Sequence, residues 1–293
     1  MKIDKLFIGL DLSKYDNACI ENAYYLLTHI ATIETVVLYH NIKFDFIGEL
    51  DEFTALSSGQ LREKILKHIK KNYVPMFQEH ADKVIPTVTD DNSTINAIKN
   101  QLPYNTSSTL FLFGSKSQED GTGDVPMKTV SLKMFNSPAL FCPIPAKTPY
   151  RTLFAAIDLK TKGSDKNVIA WANNFREYFP KLEVTGVYVN ETPIAYFPYI
   201  EKEDDEIADE LWHNCEAKFK KLTENHKKYV KEWEFKLLKG KGVVQNLKKA
   251  IKKEKPNLLI VGRNSTFLRN TNIYGSTTRK LLMSAPKVPV LVI

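Results

Sequence analysis

The sequence predicts an α/β protein built from two tandem units, each a five-stranded parallel, doubly wound sheet flanked by helices. Two observations predict it. Strand-sized apolar runs alternate with helical patterns along the whole chain, and three separated blocks recur at a near-constant offset. Lys5 to Asp11 matches Thr152 to Asp158, Thr109 to Gly114 matches Asn257 to Gly262, and Ser137 to Phe141 matches Val288 to Val292. The offsets are 147, 148 and 151 residues, which implies duplication and is far too long a period for a solenoid.

In the first copy the runs 5–10, 35–40, 83–88, 109–114 and 138–142 read as strands, and 15–30, 58–80, 91–102 and 126–136 as helices. In the second the strands are 152–157, 182–189, 234–239, 257–262 and 289–293, and the helices 164–178, 203–232, 243–254 and 276–284. Continuous apolar runs suit strands covered on both faces, and strand–helix–strand alternation implies right-handed crossovers in a parallel sheet. The expected domains are 1–146 and 151–293. A linker at 143–150 carries Pro143, Pro145 and Pro149, which remove amide donors and fix φ. Residues 191–206 read as a surface excursion leading into a charged helix.

Composition narrows the function classes. The chain has 293 residues, 43% hydrophobic and 26% charged, as for a globular protein. Nothing approaches the ~20 apolar residues of a membrane span, and no signal-peptide pattern opens the sequence, so the cytoplasm is the expected compartment. Cys19, Cys142 and Cys215 form an odd, sparse set without CxxC spacing, which argues against a disulfide framework. The six histidines show no metal-ligand spacing. The net charge of +7 collects in helical stretches interrupted by glutamates, a solvated face, and no nucleic-acid-binding signature accompanies it.

In an open parallel sheet, ligands bind at the carboxyl ends of the strands near the switch in strand order. Asp11 and Asp158 end the first strand of each copy, and Gly114 and Gly262 end the fourth. The second copy continues Gly262-Arg263-Asn264-Ser265, then nine residues, then Gly275-Ser276-Thr277-Thr278 opening a helix. Free amides, the positive end of the helix dipole and three hydroxyls suit a phosphate there, and the same residues also suit a plain helix N-cap. Asp90 to Ser93 reads as a helix cap, 119–126 as a loop, and His40 as a hydrogen-bonded structural histidine.

This order resembles the universal stress protein family over nearly the full chain. The family pattern is Gly, two residues, Gly, nine residues, Gly, then Ser or Thr, after the fourth strand. Gly262, Gly275 and Ser276 fall on it, and Ser265 replaces its second glycine. The resemblance implies a Rossmann-like fold of the adenine nucleotide alpha hydrolase type. It also implies an ATP or AMP site in the second copy, with Mg accompanying ATP. In that site Asp158 and the Val189 backbone meet the base, Gly262, Arg263 and Ser265 line the phosphate approach, and Gly275, Ser276, Thr277 and Thr278 donate to the phosphates. The first copy keeps Asp11, Ser13, Gly114 and Ser117, with Asn41 at the position of Val189. It has Met127-Lys128 where the family has Gly-Ser, so it is expected to bind nucleotide poorly or not at all.

The implied function is a stress-linked sensor or regulator. Any ATP hydrolysis is expected to be slow, for want of a general base or metal set. The alternative is a structural or protein-interaction member of the same fold. An adenylating enzyme is disfavoured, because no Ser-Gly-Gly-rich loop follows the first strand. Family members commonly pair through the last strand. Residues 138–142 and 289–293 are therefore expected to pair within the chain, with a homodimer left open.

Overall fold

The protein's structure, a computed structural model, describes residues 2–42, 57–91, 93–101, 108–115, 137–159, 162–190, 204–224, 233–239, 242–262 and 276–293. The chain divides into two compact units, Met1–Thr148 and Pro149–Ile293.

In the first unit the elements run β1 Lys5–Gly9, α1 Lys14–His29, β2 Thr35–Asn41, α2 Ser58–Asn72, β3 Val84–Thr89, α3 Thr94–Gln101, β4 Thr109–Gly114 and β5 Ala139–Cys142. The sheet is parallel, in the order β3-β2-β1-β4-β5. The chain moves outward from β1 to β3 and returns to β4, so the switch in strand order lies between β1 and β4. Aromatic side chains fill the core across the strands. Phe7 packs on Tyr39 and Phe111 with ring centroids 5.2 and 5.3 Å apart, and Phe113 meets Phe141 at 6.0 Å. Each buried ring stabilises the unit by roughly 2–3 kcal/mol.

In the second unit the elements are β6 Thr152–Ala156, α4 Lys162–Tyr178, β7 Glu183–Asn190, α5 Asp204–Thr223, β8 Glu234–Lys239, α6 Val243–Glu254, β9 Leu258–Val261, α7 Ser276–Met283 and β10 Val290–Val292. Its parallel sheet runs β8-β7-β6-β9-β10, the same order as the first, with the switch between β6 and β9. Gly186 of β7 lets the Phe219 ring of α5 lie close. A Cβ there would stand 3.2 Å from the ring, which itself stacks on Phe235 at 4.6 Å.

The single helix expected over 58–80 is two segments. The α2 helix begins at a capping box of Ser57 and Gln60 and ends at Asn72. A 3-10 stretch, Val74–Lys83, follows, with Pro75 in its first turn and Gln78 at φ 51°. Proline disfavours α geometry in the residue before it, which ends the regular helix. The predicted helix at 126–136, the loop at 119–126 and residues 191–203 of the predicted excursion lie outside the described residues, as does 225–232 of the predicted 203–232 helix. No helix among the described residues is long and apolar enough to cross a membrane.

Candidate functional site

In the second unit, Asp158 follows β6 at the carboxyl edge of the sheet, and the chain turns there through Leu159 at φ 55°. A leucine in the left-handed region is strained and has to be held by its surroundings. Asp165, in the first turn of α4, holds it. Its Oδ1 accepts the Asp158 amide and its Oδ2 the Leu159 amide, both at 2.9 Å. Asp165 is only 2% exposed, and burial pushes its carboxyl up to about 6 against the two amide bonds that favour the charged form.

A cavity of about 110 Å³ opens beside this turn. Of the residues the sequence singles out, Asp158, Val189, Gly262, Thr277 and Thr278 all line it, although they come from four different elements or their ends. Asp165 completes its polar side, and Ile157, Val187, Leu247 and Leu281 supply apolar wall. Thr278 is buried, and its hydroxyl donates to the Gly262 carbonyl at 3.1 Å. That proton is committed to fixing the strand end, so Thr278 serves the cavity by placing Gly262. Ser276 opens α7, bringing the amide end of a helix to the cavity's edge. Arg263, Ser265 and Gly275 lie outside the described residues.

The corresponding edge of the first unit is built differently. The Asp11 carboxylate accepts the Ser13 amide at 3.1 Å, and Ser13 caps α1 by accepting from the Tyr15 amide. Leu12 has φ 59°, and Asp16 accepts the Asp11 amide at 3.1 Å, the counterpart of the Asp165 contact. Burial and the neighbouring Asp11 charge push the Asp16 carboxyl up to about 7. Asn41 is fully engaged. Its Oδ1 accepts from the Thr89 hydroxyl and the Asp91 amide, and its Nδ2 donates to the Asp91 carbonyl and to Thr94 Oγ1. Gly114 is packed beneath α1, where a Cβ would stand 2.8 Å from the Cβ of Tyr15. His40 Nδ1 meets the Leu10 carbonyl at 3.0 Å, and burial lowers its pKa, as for a structural histidine. Ser93 accepts the Asn96 amide as a helix cap. Ser117, Met127 and Lys128 lie outside the described residues. Among the described residues no group of three or more His, Cys, Asp or Glu side chains could hold a metal ion.

The two buried carboxylates, Asp16 and Asp165, are the site residues that sequence reasoning missed. Their signal is an acidic residue in the first turn of the helix after each Asp-Leu pair, but the spacing from the strand-ending aspartate is five residues in one copy and seven in the other.

The class defined by this geometry is an open parallel α/β fold with a cleft at a topological switch point. No protein-family model matches the chain, and no curated protein sequence does. Solved structures do match. The fold is similar to that of a universal stress protein from Archaeoglobus fulgidus, with TM-score 0.65 and 14% identity over 100% of this chain and 98% of that one. It is also similar to a functionally unknown protein from Pseudomonas aeruginosa, with TM-score 0.57 and 11% identity over 99% and 92%. A putative universal stress protein from Pseudomonas aeruginosa matches with TM-score 0.56 and 13% identity over 99% and 93%. The fold of this chain is therefore the Rossmann-like fold found in universal stress proteins.

Proposed function

We propose that this chain is a regulator of the universal stress type whose second unit binds an adenine nucleotide, ATP or AMP, at the carboxyl edge of its sheet. The observation that carries the reading is the convergence of Asp158, Val189, Gly262, Thr277 and Thr278 on one cavity. The apolar wall of Ile157, Val187 and Leu247 suits a planar base, with the β7 backbone at Val189 offering its edge to hydrogen-bond. The opening of α7, with Thr277, suits phosphates through free amides and the helix dipole. The cavity is smaller than the roughly 300–1,000 Å³ of a whole-ligand site. A cavity of this size suits the base alone, and on this reading the sugar and phosphates extend toward the opening of α7.

Denaturing the purified protein and analysing the supernatant for released adenine nucleotide tests this, together with thermal shift on adding ATP or AMP with and without Mg. Ligand at about 100 times its Kd stabilises by ~2.7 kcal/mol, a rise of roughly 5–10 °C for a unit of this size. A Gly275→Met change, which gives the second copy the first copy's residue, should abolish the shift. No released nucleotide together with no shift would refute the reading.

In the first unit, Asn41 and Gly114 meet structural demands of their own. That observation favours a purely structural or protein-contacting role for this unit, beside a ligand-binding second one.

A further inference from the structure

We propose that Cys19 and Cys142 are a redox pair, closing under hydroperoxide exposure to a disulfide that fastens α1 to β5. This inference does not rest on nucleotide binding.

Gly114 and Cys142 are register partners on the adjacent parallel strands β4 and β5, so their side-chain directions leave the sheet on the same face. That face is covered by α1, since a Cβ at Gly114 would lie 2.8 Å from the Tyr15 Cβ. Cys19 stands four residues beyond Tyr15, on the same stripe of α1 one turn along. The register therefore places Cys19 and Cys142 on the same face of the sheet, at the seam where α1 covers β4 and β5. Both are 0% exposed and both are reduced, although 123 residues of chain separate them. The neighbouring Cys142 thiol, burial and the nearby Asp16 and Asp11 carboxylates push the Cys19 thiol well above its ordinary value. At rest the pair is an inert packing contact, and only a small oxidant reaching it through local opening of α1 can act.

The chemistry balances with hydrogen peroxide as oxidant. One thiol, as its thiolate, attacks a peroxide oxygen to give a sulfenic acid and hydroxide, which takes up the thiol proton as water. The second sulfur displaces the sulfenic oxygen, which leaves as a second water. Two thiols and one peroxide give one disulfide and two waters, the sulfurs losing the two electrons that the peroxide gains. The product closes a very long loop and ties down the helix that carries Ser13 and Asp16, hence the whole corner around Asp11.

The test uses the full chain. Native protein is exposed to excess hydrogen peroxide at neutral pH and quenched with iodoacetamide. It is then digested without reductant for mass spectrometry, with Cys215 of the second unit as internal control. The expected result is a Cys19–Cys142 cross-linked peptide, slowed amide exchange across α1, and a rise of about 10 °C in the melting of the first unit, all reversed by dithiothreitol. In a Cys142→Ser variant the cross-link and the rise both vanish. Recovery of both cysteines as alkylated thiols after denaturation would overturn the proposal. So would sulfinic acid at Cys19 without a cross-link, a cross-link through Cys215 instead, or a cross-link that leaves α1 exchange unchanged. The wild-type readout decides even if the variant fails to fold.

Discussion

Replacing Asp165 with asparagine should change how the second unit's stability depends on pH. Asp165 is almost wholly buried and its carboxyl is raised from 3.8 to about 6, with burial as the main cause. The folded state thus holds this proton more tightly than the unfolded chain. The group's stabilising contribution is fully present below pH 3.8 and is lost as pH rises through about 6. At ~1.4 kcal/mol per pH unit, that displacement is worth about 3 kcal/mol. The substituted asparagine keeps one acceptor for the Asp158 or Leu159 amide and has no proton to lose, so the variant's stability lacks this step. Urea unfolding at pH 4, 5, 6 and 7 measures the difference. All three tryptophans, Trp171, Trp212 and Trp233, lie in the second unit, so intrinsic tryptophan fluorescence reports on that unit alone. The advantage of wild type over the Asp165→Asn variant should shrink by about 2 kcal/mol between pH 4 and pH 7, the rest of the displacement lying below pH 4. A difference that stays flat, or grows with pH, would refute the assignment of Asp165 as a carboxylate held against its preferred charge.

Other substitutions separate packing from binding. Gly114→Ala should destabilise the first unit by about 1–3 kcal/mol in urea unfolding followed by circular dichroism, because the new methyl meets the Tyr15 Cβ, which cannot swing away. Gly186→Ala should cost less than about 1 kcal/mol in the same assay, since the Phe219 ring has only a few tenths of an ångström to give. Asn41→Leu should cost about 1 kcal/mol, since it removes the acceptor of the Asp91 amide and one of the two partners of the Thr89 hydroxyl, which keeps Tyr39, and it should speed amide exchange at the start of α3. Thr278→Val should cost about 1 kcal/mol through the lost bond to the Gly262 carbonyl, and should weaken any ATP-induced thermal shift by releasing that strand end.

The inner strands β1, β4, β6 and β9 were legible because each is a nearly continuous apolar run, and a strand covered on both faces tolerates little else, whereas the edge strands β3 and β8 carry polar residues and were legible from the repeat of the strand–helix alternation. The break after Asn72 escaped the pattern because the apolar periodicity runs on through Val74, Met76 and Phe77 while Pro75 ends the α geometry. The cleft was legible as positions, namely the residue after the first strand and the glycine after the fourth. What those positions do was not. The residues downstream separate Gly262 from Gly114, but that Gly114 admits a tyrosine of α1 while Gly262 lines a cavity is a matter of packing. Asn41 was legible as a departure at the position of Val189, but the partners that consume its amide in the β2–β3–α3 corner were not. Asp16 and Asp165 looked like ordinary acidic residues at helix starts, and the placing of Cys19 and Cys142 on one face depends on the register of β4 and β5.

The buried carboxylate at the start of α1 and of α4 has a consequence for how these turns can change. In both units it arrives at the amide of the strand-ending aspartate, yet the connecting chain is two residues longer in the second. The anchor fixes where the two ends of the connection meet and leaves its length unspecified, so insertions there are absorbed without moving the strand or the helix. The connection between Leu159 and the start of α4 at Lys162 is on this view a natural grafting site. A short peptide or an affinity tag inserted there should leave the sheet's register intact, and the rim of the cleft can be elaborated while its floor stays fixed.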